Sequence, residues 1–167
     1  MRLLIISDTH LPRRAKDLPA EVWAEAEAAD VVIHAGDWCQ VELLDALTAR
    51  TRRVIGVAGN NDGPPLRARL PEVARAELAG LRLAVVHDSG PSAGRNARCA
   101  GQFPDTDLLV FGHSHIPWDG TAPNGMRLLN PGSPTDRRSQ PHHTYLTATI
   151  ADAQLADVTL RRLPPRR

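Results

Sequence analysis

At 167 residues the chain is long enough to bury one full hydrophobic core without disulfides. Its formal net charge of +1 gives no electrostatic case for a nucleic acid or an acidic membrane surface as the partner. Cys39 and Cys99 lie far apart with no Cys-x-x-Cys spacing, so we expect reduced, packed thiols. The apolar runs are too short for a signal peptide or a membrane span, and we therefore expect a cytoplasmic protein without a membrane partner.

The first sixty residues alternate between strand and helix patterns. Short apolar, β-branched runs predict strands, and apolar residues at three- and four-residue spacing predict helices. In chain order the prediction is a strand over 2–8, a helix over 17–29, a strand over 31–33, a helix over 41–50 and a strand over 53–58. This alternation predicts a largely parallel sheet with helices packed on it.

The second half changes to a mostly antiparallel β pattern. We predict a hairpin, a segment made of a loop and one helix, a buried strand and three further antiparallel strands: 74–78 with 81–86, 91–103, 107–111, 126–129, 145–150 and 156–160. One α/β domain over 1–163 accounts for all these elements. The remaining residues, 164–167, are interpreted as a basic, solvated C-terminal tail.

Potential metal ligands follow five of the predicted strands. The residues are Asp8 with His10, Asp37, Asn60, His87, and His113 with His115. Asp8 and His10 would share one side of an extended chain, because side chains alternate along a strand. Strand ends at one edge of a sheet converge, and charged groups buried there need a partner such as a metal ion. We therefore predict a metal site at this edge.

The order of these residues resembles that of the calcineurin-like metallophosphoesterase superfamily. The resemblance rests on Asp8-x-His10, Gly36-Asp37, Gly59-Asn60, His87 and Gly112-His113-Ser114-His115, and it extends to about Arg138. The Asn130-Pro131-Gly132-Ser133 turn and the short chain are most similar to its small bacterial and archaeal phosphodiesterase branch. The resemblance implies a four-layer α/β fold in which two mixed β-sheets pack as a sandwich flanked by helices.

The resemblance also implies two metal ions. Carried onto this sequence, one ion would be held by Asp8, His10, Asp37 and His115, and the other by Asp37, Asn60, His87 and His113. Asp37 would bridge them, and a shared carboxylate is the usual way to screen two cations about 3.5–4 Å apart. Mixed imidazole and oxygen ligands suit divalent transition metals better than magnesium or calcium. We expect manganese, with iron, nickel, cobalt and zinc as alternatives.

Charge counting predicts the class of substrate. Asp8 and Asp37 contribute −2 and two divalent ions contribute +4, so the site keeps about +2 and favours a phosphate anion. We expect a phosphodiesterase in which a metal-bound hydroxide attacks phosphorus, with Asp37, Asn60 and His87 as catalytic residues. The substrate would be a small phosphodiester, and homo-oligomerisation is left open.

Two residues are assigned to substrate binding, Asn61 and Arg95. Many family members carry a histidine where this chain has Asn61, and asparagine cannot protonate a leaving group. We therefore expect a preference for phosphodiesters with good leaving groups. Arg95 could reach a substrate phosphate from the segment after His87, although an exposed helix face explains it equally well. The family's Pro-Arg becomes Asp136-Arg137 here, which leaves the role of Arg137 open.

Two other function classes are kept as alternatives. The fold also serves as a non-catalytic scaffold in the retromer coat, where the metal site is degraded, whereas all seven ligand positions are filled here. Nuclease activity is disfavoured by the lack of a basic face. We interpret His34 as a core histidine rather than an eighth ligand, and we expect Trp38 and Trp118 to pack rather than to stack on a substrate.

Overall fold

The computed structural model describes residues 1–165; Arg166 and Arg167, which belong to the predicted tail, lie outside the described residues. The elements in chain order are β1 Arg2–Ile6, α1 Ala20–Ala28, β2 Val31–His34, α2 Val41–Arg50, β3 Val54–Gly56, α3 Pro64–Arg67, β4 Val73–Leu78, β5 Leu81–Val86, α4 Arg95–Gln102, β6 Leu108–Val110, β7 Trp118–Thr121, β8 Arg127–Asn130, β9 Thr144–Ala151 and β10 Gln154–Arg162. They form two mixed sheets, with the strand orders β10-β9-β1-β2-β3 and β4-β5-β6-β8-β7.

The two sheets pack face to face, and helices cover their outer sides. Strand β1 is buried on both faces, which explains its continuous apolar run. Leu3 and Ile5 contribute to the core between the sheets, while Leu4 and Ile6 pack in the cluster under α1 and α2. Helix α4 covers the outer side of the second sheet through Cys99, and Phe103, directly after the helix, packs in the same cluster. These four layers confirm the predicted fold class.

The carboxyl ends of the parallel strands in both sheets meet at one place. Strands β1, β2 and β3 are parallel in the first sheet, and β5, β6 and β8 are parallel in the second. The backbone N–H of His113, after β6, donates to Asp8 Oδ2, after β1, at 3.0 Å. His87 Nδ1, after β5, donates to the carbonyl oxygen of Ala35, after β2, at 2.7 Å. The predicted ligands therefore converge from two sheets rather than from the edge of one.

Several predicted elements are corrected by the structure. Strand β1 ends at Ile6 rather than at residue 8, and α1 begins at Ala20 because Pro19 occupies its N-cap. Strand β8 pairs in parallel with β6, not antiparallel with β9, and β9 instead pairs antiparallel with β1. Strand β7 was not predicted because Trp118–Thr121 has no apolar alternation, and α3 was not predicted because it is a four-residue helix that starts at two prolines.

Both cysteines are free, as expected from their spacing. Burial raises the pKa of the Cys39 thiol to about 11, which is the behaviour of a packed thiol rather than a reactive one. Among residues 1–165, no helix has the length and apolar character needed to cross a membrane.

Candidate metal centre

The seven predicted ligands lie together where the two sheets meet. Asp37 Oδ2 is 3.4 Å from His10 Nε2 and 3.4 Å from His87 Nε2. Asp8 Oδ1 is 3.4 Å from His115 Nε2. The same oxygen is 4.0 Å from the Nε2 atoms of His10 and His87. Ligands of one cation with bonds of about 2.0–2.2 Å are separated by roughly 3–3.5 Å, so most of these atoms are spaced for coordination.

Asn60 and His113 complete the half of the cluster nearest His87. Asn60 Oδ1 is 2.9 Å from His87 Nε2 and 3.1 Å from His113 Nδ1. His113 thus faces the cluster with Nδ1, whereas His87 faces it with Nε2. Asp8 belongs to two compact three-residue groups, Asp8-His10-His115 and Asp8-Asp37-His87. Both carboxylates therefore lie between the two halves, and the bridging role of Asp37 stays a prediction.

One carboxylate oxygen shows that the cluster fits a cation. Asp8 Oδ2 accepts hydrogen bonds from Ser7 Oγ at 2.6 Å and from the His113 backbone. Asp8 Oδ1 is buried and has no hydrogen-bond partner among the described residues. Burying a carboxylate oxygen without a hydrogen-bond partner costs free energy, and a divalent cation bound to that oxygen offsets the cost. The donor set of carboxylate, amide and imidazole atoms is also the one that transition metals prefer.

Hydrogen bonds set the tautomers of two histidines. His87 Nδ1 donates to the Ala35 carbonyl, and His115 Nδ1 donates to the Asp136 carbonyl at 2.5 Å. Because a carbonyl oxygen only accepts, each Nδ1 carries a proton. In the neutral ring this leaves the Nε2 lone pair free to bind a metal.

The carboxylate of Asp37 is strongly held in its ionised form. Burial opposes its ionisation, but the hydrogen bond and charge of His87 and two donors from Asn61 outweigh burial and hold the pKa of Asp37 well below its usual range. Those donors are the backbone N–H and Nδ2 of Asn61, both at 2.8 Å. Burial also lowers the pKa of His87, but the hydrogen bond that His87 donates to Asp37 and the charges of Asp8 and Asp37 raise it to about 9. A cation at the cluster would therefore replace a proton on His87.

Tight loops, not strand alternation, aim most of the ligands. Five of them have left-handed backbone conformations, with φ of 55° at Asp8, 46° at His10, 59° at Asp37, 69° at His113 and 60° at His115. This corrects the expectation that Asp8 and His10 share a side of an extended strand. Such conformations cost about 1–3 kcal/mol each in non-glycine residues and persist where the surroundings hold them.

Close backbone packing explains two of the glycines beside the ligands. A Cβ at Gly59 would lie 2.2 Å from Asp37 Oδ1 and 2.3 Å from the Asp37 backbone nitrogen. A Cβ at Gly112 would lie 2.0 Å from Ser7 Oγ and 2.6 Å from Asp8 Oδ2. The absent side chains let neighbouring loops touch, which brings the carboxylates within reach of the histidines.

Asp62 is a supporting residue that the sequence reasoning missed. Its Oδ2 accepts from the backbone N–H groups of Asp37 at 3.0 Å and Gly59 at 2.7 Å, and its Oδ1 accepts from that of Cys39 at 2.8 Å. The carboxylate thus ties the loop after β2 to the loop after β3. Its position directly after Gly59-Asn60-Asn61 was the available signal, since acids at loop ends commonly accept backbone N–H bonds.

The turn after β8 holds loops of both sheets. Asn130 Nδ2 donates to the Gly112 carbonyl at 3.0 Å, next to His113. Ser133 Oγ donates to the Asp8 carbonyl at 2.7 Å. The sequence pointed to this turn only through the family resemblance, and its hydrogen bonds give it a positioning role.

His34 and Trp38 lie outside the cluster. The Gly36 N–H donates to His34 Nδ1 at 3.2 Å, so Nε2 carries the proton and donates to Thr9 Oγ1 at 3.0 Å. Burial lowers the pKa of His34 well below its usual value, which keeps it neutral. Its ring stacks on Trp38 at 3.7 Å, and Trp38 Nε1 donates to the Val57 carbonyl at 2.9 Å. Both residues are packed, in agreement with the interpretation from the sequence.

The two residues assigned to substrate binding have different surroundings. Asn61 contacts the Asp37 carboxylate directly. Arg95 is buried rather than on an exposed helix face, and its guanidinium lies 4.8 Å from the ring centroids of Phe111 and Trp118. Arg137 Nη1 donates to the Gln140 carbonyl at 2.6 Å, within its own turn. Substrate contacts of Asn61 and Arg95 stay predictions.

Solved structures with the same fold come from several organisms. Thermotoga maritima protein TM1076 has a TM-score of 0.76 and 28% sequence identity, over 97% of this chain and 99% of that one. Vps29 from Entamoeba histolytica, solved as a complex with Zn²⁺, has a TM-score of 0.77 and 24% identity, over 98% of each chain. The second likeness shows the fold alone.

Sequence comparisons identify the family. A protein named probable metallophosphoesterase from Methanocaldococcus jannaschii is 36% identical over 138 residues, which are 81% of this chain and 69% of that protein. The sequence profile of the calcineurin-like phosphoesterase superfamily domain matches residues 1–153. The chain, with its cluster of candidate metal ligands between two mixed sheets, therefore belongs to the calcineurin-like phosphoesterase superfamily.

Proposed function

We propose that the protein is a phosphodiesterase that depends on two divalent metal ions. The observation that carries the proposal is the cluster of seven ligand side chains around Asp8 and Asp37, most of them buried, in which Asp8 Oδ1 has no partner among residues 1–165. Family membership supports a phosphoesterase. The number of ions and the preference for diesters are the proposed refinements.

In this proposal the ligands are divided between two ions. One ion would be held by Asp8, His10, Asp37 and His115, and the other by Asp37, Asn60, His87 and His113. Bound there, the ions would act as Lewis acids that polarise a phosphoryl group and lower the pKa of water. Manganese is proposed first, ahead of iron, nickel, cobalt and zinc.

The chain's own residues position these ligands and set the open side of the site. Asp62 and Asn61 hold the Asp37 loop and carboxylate in place. The His115 side chain is fully buried, whereas that of His113 is 42% exposed. We therefore infer that substrate reaches the site from the side of His113, where a ligand side chain is exposed to solvent.

Asn61 shapes the choice of leaving group. Its amide nitrogen donates to Asp37, and an amide has no titratable proton to give to a departing alkoxide. Substrates whose leaving groups are already stable as anions therefore suit this site. A small phosphodiester with an acidic alcohol, such as a phenol, fits this requirement.

The test begins with metal-free protein to which single metals are added back. We expect hydrolysis of bis-nitrophenyl phosphate to exceed that of mono-nitrophenyl phosphate and of an alkyl diester. Asp37→Ala should lower the rate about 10³-fold, because it removes a carboxylate shared by both halves of the site. The matched control is Asp45→Ala, since Asp45 is an exposed aspartate paired with Arg69 away from the cluster.

Five outcomes would contradict the proposal or one of its parts. Activity that survives Asp37→Ala, or that needs no metal, would exclude the metal-supported reaction. Equal rates on alkyl and nitrophenyl diesters would exclude the leaving-group preference. Metal binding without hydrolysis of any ester would favour the scaffold alternative, which the fold shared with Vps29 keeps in view. Cleavage of plasmid DNA in place of small esters would favour a nuclease.

A further inference from the structure

An open pocket lies on the outer side of the second sheet, away from the cluster of metal ligands. It has a volume of about 480 Å³ and is lined by the start of α4 and by residues of β7 and the turn that follows, including Arg95, Asn96 and Trp118. Trp118 follows His115 by three residues, and Arg95 follows His87 by eight. The pocket therefore adjoins the candidate active site along the chain without sharing its ligands.

The wall of this pocket contains a buried cation without a counter-charge. Arg95 is only 8% exposed, and its guanidinium is stacked against the rings of Phe111 and Trp118. Within residues 1–165 its side chain makes no hydrogen bond or ion pair, and its Nε is fully covered. The two Nη groups are not fully covered and have no protein partner within residues 1–165, so a ligand in the pocket can accept hydrogen bonds from them.

Two further polar atoms of the wall are also unpartnered. Trp118 Nε1 and Asn96 Oδ1 are buried and have no hydrogen-bond partner among the described residues. Asn96 Nδ2 donates to the Thr121 carbonyl at 3.3 Å, which fixes the amide so that Oδ1 is the free end. A Cβ at Gly120 would lie 2.8 Å from Trp118 Nε1 and 3.4 Å from Asn96 Nδ2, so both side chains converge over this glycine. Both atoms are covered by protein, so they reflect the close packing of this wall and do not open into the pocket.

The surroundings of the pocket favour an anion. No carboxylate lines it. The nearest acid along β7 is Asp119, whose two carboxylate oxygens accept hydrogen bonds from Arg127 Nε at 2.5 Å and Nη2 at 2.7 Å. Helix α4 begins at the pocket after Gly94, which has no side chain to cap the first N–H groups. The uncapped helix start and the Nη groups of Arg95 both present positive charge or donors to this space.

We propose that this pocket binds a small organic molecule through an oxyanion, either a phosphate or a carboxylate group. The oxyanion accepts from the two Nη groups of Arg95, which are the part of its guanidinium that the protein does not cover. The volume exceeds that of a lone anion, and Ala97, Ala122 and Pro123 give its remaining wall an apolar surface. The site is independent of the proposed hydrolysis, because none of its residues belongs to the metal cluster.

The indole N–H of Trp118 gives a local reporter for the test. The chain has three tryptophans. Trp23 and Trp38 donate to Asp17 and to the Val57 carbonyl, so Trp118 alone among them has a free indole N–H within the described structure. Protein loaded with diamagnetic Zn²⁺ is titrated with inorganic phosphate, phenyl phosphate and benzoate while the three indole resonances are followed by NMR. Trp118→Phe assigns the resonance.

We expect a saturable shift of the Trp118 resonance with phenyl phosphate or with benzoate. Tighter binding of phenyl phosphate would identify a phosphate as the preferred group, and tighter binding of benzoate would identify a carboxylate. Arg95→Met should weaken this binding at least tenfold, whereas Arg75→Met should not, although it also removes an arginine stacked on an aromatic ring, Phe103.

Asp37→Ala separates this site from the metal centre. The Trp118 shift should persist in that variant, whatever happens to its hydrolytic activity. Absence of a shift in all three titrations would overturn the proposal. So would a shift that Arg95→Met leaves unchanged, or one that disappears with Asp37→Ala.

Discussion

Two regions of the molecule bury a charged side chain with an unpartnered atom, and the two charges have opposite signs. In the metal cluster the atom is Asp8 Oδ1, and in the pocket beside α4 it is Arg95 Nε. The cluster surrounds its charge with imidazoles, while the pocket surrounds its charge with aromatic faces. A buried charged group without a partner is costly in each region. The sign of that charge therefore predicts a cation as the ligand of the cluster and an anion as the ligand of the pocket.

The regions also differ in how firmly they are held. Loops around the cluster are cross-linked by Asp62 and by the turn at Ser133, with hydrogen bonds of 2.7–3.0 Å. The Arg95 side chain is kept in place by stacking alone within the described residues. We expect the cluster to tolerate little change in geometry and the pocket to tolerate more, because hydrogen bonds are directional and packing is less so.

The largest expected effect on stability is the one caused by metal binding. Adding a metal at about 1,000 times its dissociation constant should stabilise the wild type by about 4 kcal/mol, or about 10 °C in Tm. Asp8→Asn should lose most of this gain. Its metal-free form should be at least as stable as metal-free wild type, because the amide can donate to an imidazole where Asp8 Oδ1 has no partner. Thermal melts with and without chelator give both values, and a full metal response in the variant would remove Asp8 from the site.

Asp62→Asn should weaken metal binding about 10–100-fold while the protein stays folded. An amide has one acceptor oxygen, so it cannot accept from the Asp37, Gly59 and Cys39 backbones together as the carboxylate does. Isothermal titration with the metal that supports the highest activity measures the change. An unaltered affinity would show that the loops around Asp37 are held without Asp62.

Arg95→Met should stabilise the ligand-free protein by about 1 kcal/mol, or about 2–4 °C in Tm. The methionine fills similar space between Phe111 and Trp118 and removes a charge that has no partner in residues 1–165. Melting curves of the two proteins decide the point. Clear destabilisation would mean that Arg95 is compensated in the empty protein, and the contrast between the two regions would fail.

The smallest effect is expected for Trp118→Phe. It keeps an aromatic ring beside Arg95 and removes an indole N–H that has no acceptor in the described structure, so the free energy of unfolding should change by less than about 0.5 kcal/mol. Trp38→Phe is the contrast, since it strands the buried Val57 carbonyl and should cost about 1–3 kcal/mol. Urea unfolding of both variants measures the difference, and equal losses would contradict it.

The sequence predicted most of the fold but little of the geometry around the site. Apolar runs such as 3–6 and 31–33 identified the buried strands, because burial on both faces leaves a continuous pattern. Strand β7 was not predicted because its Trp-Asp-Gly-Thr sequence has no regular apolar alternation. Strand β8 was predicted with the wrong partner because pairing between distant strands leaves no local signal in the sequence. Topology of this kind depends on contacts that a linear pattern does not contain.

The candidate site shows the same division. The seven ligand types were predicted from residues at strand exits together with the family resemblance, and the structure brings them into one cluster. Their left-handed backbones, and the supporting bonds of Asp62, were not predicted. Both arise from loops that meet only in the folded chain. The sequence suggested Arg95 as a possible phosphate contact. Its burial and its lack of a partner within residues 1–165 are visible only in the structure.

The bond from Ser133 to the Asp8 carbonyl has a consequence for the order in which the protein is made. It spans 125 residues, and β1 lies in its sheet between β2 and β9, which is synthesised long after β1. During translation the first candidate ligands therefore emerge long before the segment that steadies them. A ribosome-bound chain that stops before Ser133 should therefore hold metal more weakly than one that extends past β9.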